Sequence, residues 1–225
     1  MPLTISEQLF EQFCQEHMIQ VTRIAESSEQ TPDYEILTPN GPIVVEVKEL
    51  TPNDEDVESA RLLDERGYGL AGGRVPGDRI RNKIHSASPQ IKSKALGMHP
   101  GLLVLYAEGS LVGHLEPYFV KTAMFGLEKV IIAVPQDLSV SPYSVGSQLG
   151  PKRKMTQDCN TSISAIATMY RGFDGAILFS IFHNHFASNP LQPHTFPNNV
   201  NQYFLNEVGG GHTPDWIKHE HPSAP

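Results

Sequence analysis

The sequence predicts an α/β fold: a mixed β-sheet flanked by helices. Three observations carry that reading. Continuous apolar runs at Gly101–Tyr106 (GLLVLY), Lys129–Val134 (KVIIAV) and Gly175–Phe182 (GAILFSIF) have the length and composition of strands buried on both faces. Residues 33–48 read as strand, turn, strand, with Pro39, Asn40, Gly41 and Pro42 supplying the turn. Helical stripes lie on either side of that hairpin.

The first helix is marked by Ile5, Leu9 and Phe13 at helical spacing, with Phe10 and His17 less regular, after a Thr4 or Ser6 cap. Asp33–Leu37 and Ile43–Lys48 are the arms of the hairpin. If Asn40 and Gly41 make a two-residue turn, Asp33 falls opposite Lys48, and a slip of one residue would turn Asp33 to the other face. Residues 50–78 read as an insertion. Within it NDEDVESARLLDERG is a helix capped by Asn53 and stopped at Gly67, and Gly69, Gly72, Gly73 and Gly77 loosen the chain beyond that helix. Arg79–Ala95 is the next helix, with Pro89 departing from regular geometry. Ser162–Tyr170 reads as a short helix, Pro151 with Lys152, Arg153 and Lys154 as a solvated turn, and residues 209–225 as a flexible tail behind one domain covering residues 1–208.

The chemistry gathers on the hairpin. Side chains alternate along a strand, so Glu46 and Lys48 share one face while Val45 and Val47 take the other. In the right register Asp33 joins Glu46. Two carboxylates a few ångströms apart repel unless a cation lies between them, and hard oxygen donors of this kind suit Mg²⁺ or Mn²⁺. Such a metal activates a water and polarises a phosphoryl oxygen, while a neighbouring ammonium orients the nucleophile. The bland alternative is a strand ending in a solvated Glu and Lys. A second cluster, His183, Asn184 and His185 with His194, could in principle bind a transition metal, although strand-end packing is the commoner role for such histidines. His212, His219 and His221 read as solvated.

Pro32-Asp33 followed by Glu46-Val47-Lys48 resembles the PD-(D/E)XK nuclease superfamily, whose fold is called restriction-endonuclease-like. The resemblance covers about the first half of the chain. It implies a metal-dependent nuclease that hydrolyses phosphodiester bonds, with DNA ahead of RNA as substrate and Mg²⁺ or Mn²⁺ as cofactor. By that pattern Asp33, Glu46 and the Val47 carbonyl hold the metal, and Lys48 orients or activates the attacking water. Members carry a Glu on the helix before the first strand; setting Ile19–Arg23 as that strand assigns Glu7, with Glu11 one turn later as the fallback. A Gln on the helix after the Glu-x-Lys strand corresponds to Gln90, which would steady Lys48 or the scissile phosphate. The rival from another class is a non-catalytic nucleic-acid-binding or assembly module of the same fold.

Composition fits one domain: 225 residues with 39% hydrophobic content can bury a substantial core. No basic-then-apolar leader and no apolar run of roughly 20 residues is present, so a cytoplasmic protein away from membranes is expected. Cys14 and Cys159 lack metal-site spacing and read as reduced thiols. The net charge of −8 argues against a protein that coats nucleic acid, yet it is unevenly spread. Residues 49–65 carry seven acids against one base; residues 74–94 carry six bases against one acid. Arg79, Arg81, Lys83, Lys92 and Lys94 are therefore expected to contact phosphates, the alternative being an ordinary solvated helix face. Association as a homodimer stays open.

Overall fold

The computed structural model describes residues 3–25, 31–68, 75–137, 139–206 and 214–220. Helix α1 (Ile5–Glu16) starts with a capping box: the Thr4 hydroxyl accepts the Glu7 N–H, and the Glu7 carboxylate accepts the Thr4 N–H. It buries Leu9, Phe10, Phe13 and Cys14 and leaves Ile5 exposed, so its inner face is rotated from the stripe read in the sequence. Strands β1 (Val21–Arg23), β2 (Tyr34–Thr38) and β3 (Gly41–Glu49) come next as an antiparallel meander.

The turn between β2 and β3 departs from expectation. Thr38 pairs with Gly41, so the two turn residues are Pro39 and Asn40 rather than Asn40 and Gly41. Proline's fixed φ suits the first turn position, and the alternative would have set Pro39 against Pro42 in the ladder, where neither can donate. The Thr38 hydroxyl closes the turn, donating to the Gly41 carbonyl at 2.6 Å and accepting the Asn40 N–H at 3.2 Å. Relative to β3 the register moves by two residues, which sets Asp33 nearest Glu46 instead of Lys48. An even shift preserves side-chain parity, so the face is kept.

Helix α2 (Asp54–Arg66) is capped by Asn53 and ends at Gly67, whose φ of +72° is the left-handed conformation glycine tolerates best, as the sequence implied. It buries no residue. Gly69, Gly72, Gly73 and Arg74 lie outside the described residues. Helix α3 (Asp78–Ala95) buries the stripe Ile80, Ile84, Ala87, Ile91 and Ala95. It runs unbroken through Pro89, which is exposed, so the lost hydrogen bond falls on the solvent side, where water substitutes for it.

Strand β4 (Gly101–Tyr106) is buried along its whole length and runs parallel to β3. A 3₁₀ segment and helix α4 (Pro117–Phe125) come after it. The second apolar run does not enter the sheet: among the described residues β5 (Glu128–Ala133) pairs only with β6 (Tyr143–Leu149), and this separate hairpin is largely exposed. The segment expected as a short helix at 162–170 instead contributes β7 (Ala165–Arg171), inserted between β4 and β8 (Ile177–His183). Alanine and methionine suggested helix, but Ile166 and Thr168 alternate with Ala165, Ala167 and Met169, and burial on both faces decides for strand. Strand β9 (Asn201–Asn206) lies parallel to β8. Of the residues assigned to the tail, Asp215–Lys218 form an edge strand, β10, antiparallel to β9, with Asp215 held 3.2 Å from the Lys121 ammonium.

Among the described residues the main sheet thus has eight strands in the order β1-β2-β3-β4-β7-β8-β9-β10. One face is covered by α1, where Leu9, Phe10 and Phe13 meet Tyr34, Ile36, Val45, Val47 and Val104. The other is covered by α3 and α4, where Ile80, Ile84 and Ile91 meet Val44, Leu103 and Leu105. Glu46 and Lys48 project on the α3 side because Val44 does. Among the described residues no helix is long and apolar enough to cross a membrane.

Candidate active site

Regular β2–β3 pairing stops at Tyr34, and Asp33 bends at the end of the ladder. Its N–H donates to the Val45 carbonyl at 3.1 Å, and its Oδ2 accepts the Val47 N–H at 2.8 Å. Peptide groups alternate in direction along a strand, so the Val47 carbonyl points to the same side as the Val45 carbonyl, into the space where β2 has ended. The Val47 side chain turns the other way, into the core beneath α1.

Among the described residues, Glu46 is the one whose buried side-chain oxygens lack a hydrogen-bond partner. It has no exposed surface, the Lys48 ammonium is ion-paired with its Oε1, and among the described residues neither oxygen accepts a hydrogen bond of ordinary geometry. Burial and then the charge of Asp33 push its pKa up to about 7, against the opposing pull of Lys48 and of the Asp33 backbone N–H. Asp33 is also raised, first by burial and further by Glu7, while the Val47 hydrogen bond, Lys48 and Arg23 pull it down. The charge of Asp33 therefore disfavours ionised Glu46, and Lys48 compensates only in part.

The helix glutamates have other partners. Glu7 closes the α1 cap and lies 3.3 Å from the Arg23 guanidinium, near enough to Asp33 to raise it. Glu11 accepts the Tyr34 hydroxyl at 2.9 Å. Gln90 makes no hydrogen bond to Lys48; it donates to the Thr31 carbonyl at 3.2 Å and so ties α3 to the segment entering Asp33. Lys83 stands closer to the chemistry than the sequence suggested: it is half-buried on α3, and burial followed by the Lys48 charge depresses its pKa. The spacing of Lys83, Ala87 and Gln90 at i, i+4 and i+7 is the signal that could have assigned all three to the face turned toward β3. Arg23 and Thr31, which position Glu7 and Gln90, left no such trace.

The basic segment is divided. Arg81 is buried and committed, pairing with Asp78 and donating to the Thr122 carbonyl at 2.9 Å and the Pro76 carbonyl at 2.5 Å, so it is not placed to meet phosphate. Arg79 pairs with Asp56 of α2 and donates to the Thr51 carbonyl at 3.0 Å. Lys94 lies 3.1 Å from Glu35. Lys92 is exposed, and Lys83 faces Lys48.

The described histidines do not converge. His183 is buried, shares a 3.0 Å hydrogen bond with Gln202 and stacks on Phe204. Burial depresses its pKa to about 4. His185 lies on Phe125, and His194 sits exposed in a 3₁₀ turn. Phe204 packs against His219, and His212 and His221 lie outside the described residues.

Among the described residues no group of three or more His, Cys, Asp or Glu side chains is arranged to hold a metal ion. A cation at this site would rely on Asp33, Glu46 and main-chain or water oxygens. That donor set suits Mg²⁺, which keeps several waters and commonly takes only one or two protein carboxylates. No protein-family model matches the chain, and neither does any curated protein or any solved structure.

Proposed function

We propose that the chain is a Mg²⁺- or Mn²⁺-dependent nuclease hydrolysing phosphodiester bonds, with DNA as the first substrate to test. The observation that carries this reading is Glu46: a wholly buried acid beside Asp33, with oxygens that lack ordinary hydrogen-bond donors. Such a group is costly in a finished fold and is relieved by a divalent cation. The element order supports it as well. A helix bearing Glu7 precedes the meander, the Asp and Glu-x-Lys residues sit at its open end, and a helix bearing Gln90 comes after them, as in the superfamily that residues 32–48 resemble.

Asp33 and Glu46 would hold the cation, with the Val47 carbonyl beside them, and the metal would supply an activated water and charge neutralisation at the phosphate. Lys48 keeps an ammonium next to Glu46 and within reach of solvent, where it can orient the attacking water. Lys83 adds a second positive charge near the first, suited to the bridging phosphate. Glu7 closes the α1 cap and holds Arg23, whose charge favours the Asp33 carboxylate, and Gln90 acts as a positioning residue through Thr31. Cleavage of single- and double-stranded DNA and RNA with Mg²⁺, Mn²⁺ or chelator tests the proposal. Chelator-sensitive cleavage that is lost in Lys48→Ala supports it; binding without cleavage under any metal identifies a non-catalytic module instead.

A further inference from the structure

The β5–β6 hairpin stands apart from the rest of the chain. Among the described residues it makes no extensive contact with any other helix or strand. Its base is firmly set: Lys121 lies 3.6 Å from Glu128, the Leu127 N–H donates to the Pro151 carbonyl, and Arg153 donates to the Leu149 and Gly150 carbonyls. Beyond that base, Val130, Ile131, Ile132, Val134, Tyr143 and Val145 are all exposed, Val134 by 73%. A two-stranded hairpin is marginal in water without a further layer or further strands. Here it also bears on the order of 600 Å² of apolar residue surface, divided between its two faces, a total at the upper end of what a monomer leaves exposed in one patch.

We propose that this hairpin is a self-association surface, pairing the β5 edge of one copy antiparallel with the β5 edge of a second about a two-fold axis near Ile132. Three features favour a second copy over other occupants. The run Val130–Val134 has no charge, and a two-fold at Ile132 sets Val130, Ile132 and Val134 against Val134, Ile132 and Val130 of the partner, so the strand is complementary to itself. Lys129 of each copy is then brought toward the exposed Asp137 of the other, giving two opposite-charge contacts and no like-charge one, since Glu128 is held at the base by Lys121. The exposed area approaches the ~800 Å² that one side of a standard interface contributes. Nucleic acid is disfavoured as an occupant, because an uncharged apolar ribbon offers nothing to phosphates.

The test is the mass of the full chain in solution by sedimentation velocity and light scattering over a range of protein concentrations. Wild type is expected to be a dimer, and Ile132→Glu a monomer with an unchanged far-UV spectrum, because Ile132 is exposed and lies away from the base of the hairpin. Lys129→Asp and Asp137→Lys should each weaken the dimer at least tenfold, and the two together should restore it. A wild type that stays monomeric at its highest soluble concentration overturns the proposal, as does a dimer that survives Ile132→Glu. If Ile132→Glu fails to fold, the charge exchange decides alone: no restoration in the double variant rejects the antiparallel pairing.

Discussion

Asp33 accepts the Val47 N–H through its carboxylate at 2.8 Å, so one side chain both ends the β2–β3 ladder and faces Glu46 across it. A residue with two such tasks needs a substitution that separates them.

Asp33→Asn keeps an oxygen for the Val47 N–H but removes the charge that raises Glu46. The metal-free protein is expected to be as stable as wild type or more so, with the Mg²⁺ midpoint for cleavage raised at least tenfold. Asp33→Ala also strands the Val47 N–H and should cost about 1–3 kcal/mol relative to Asp33→Asn, read from urea unfolding. Equal stability of the two variants would show that the hydrogen bond does not hold the site.

Lys48→Ala leaves both carboxylates in place. Cleavage should fall by about 100-fold or more while nucleic-acid affinity changes little, the usual scale for losing a positioned group in the transition state. Single-turnover rates beside equilibrium binding separate the two effects, and equal cleavage in wild type and variant would exclude Lys48 from the chemistry.

The basic residues should part company on mutation. Lys83→Ala is expected to lower the slope of log affinity against log salt by about one unit with the fold intact. Arg81→Ala should instead destabilise by about 2–4 kcal/mol, since it leaves the Thr122 and Pro76 carbonyls without their donor. Thermal melts and salt titrations of both variants check the division.

His183 gives a pH dependence that substitution isolates. Its folded pKa of about 4 lies below the usual histidine value, so the stability it contributes is present above pH 6.5 and lost as the pH falls through 4. Over that window wild type should lose about 3 kcal/mol more than His183→Gln, which cannot titrate. Cleavage at neutral pH should be nearly the same in His183→Gln, in His185→Ala and in wild type. A large loss in either would move the chemistry to the histidines.

Much of the central architecture was legible because local signals agreed with burial. GLLVLY became a strand buried on both faces, Asn53 and Gly67 bounded a helix, and alternation set Glu46 and Lys48 on one side of β3. The misreadings have a common cause: identical local signals serve different tertiary ends. KVIIAV has the apolar continuity of a core strand yet projects from the body, and AIATMYR carries helix-favouring residues in a strand that its neighbours on both sides enforce. The hairpin register was read two residues off because Pro39 can begin a turn or flank one. Arg81 illustrates the limit for charge, since a base bound for a buried carbonyl cage spells no differently from one bound for a phosphate.

Helix α3 is fastened at both ends. Arg81 grips the Thr122 carbonyl of α4 near its start, and toward its end Gln90 holds the Thr31 carbonyl while Lys94 holds Glu35, the two residues lying on either side of Asp33. Its two attachment points thus lie on different elements, so one continuous helix links α4 to the chain around Asp33. If a cation binds at Asp33 and Glu46 as proposed, its affinity should answer to changes in α4, in residues remote from those two carboxylates.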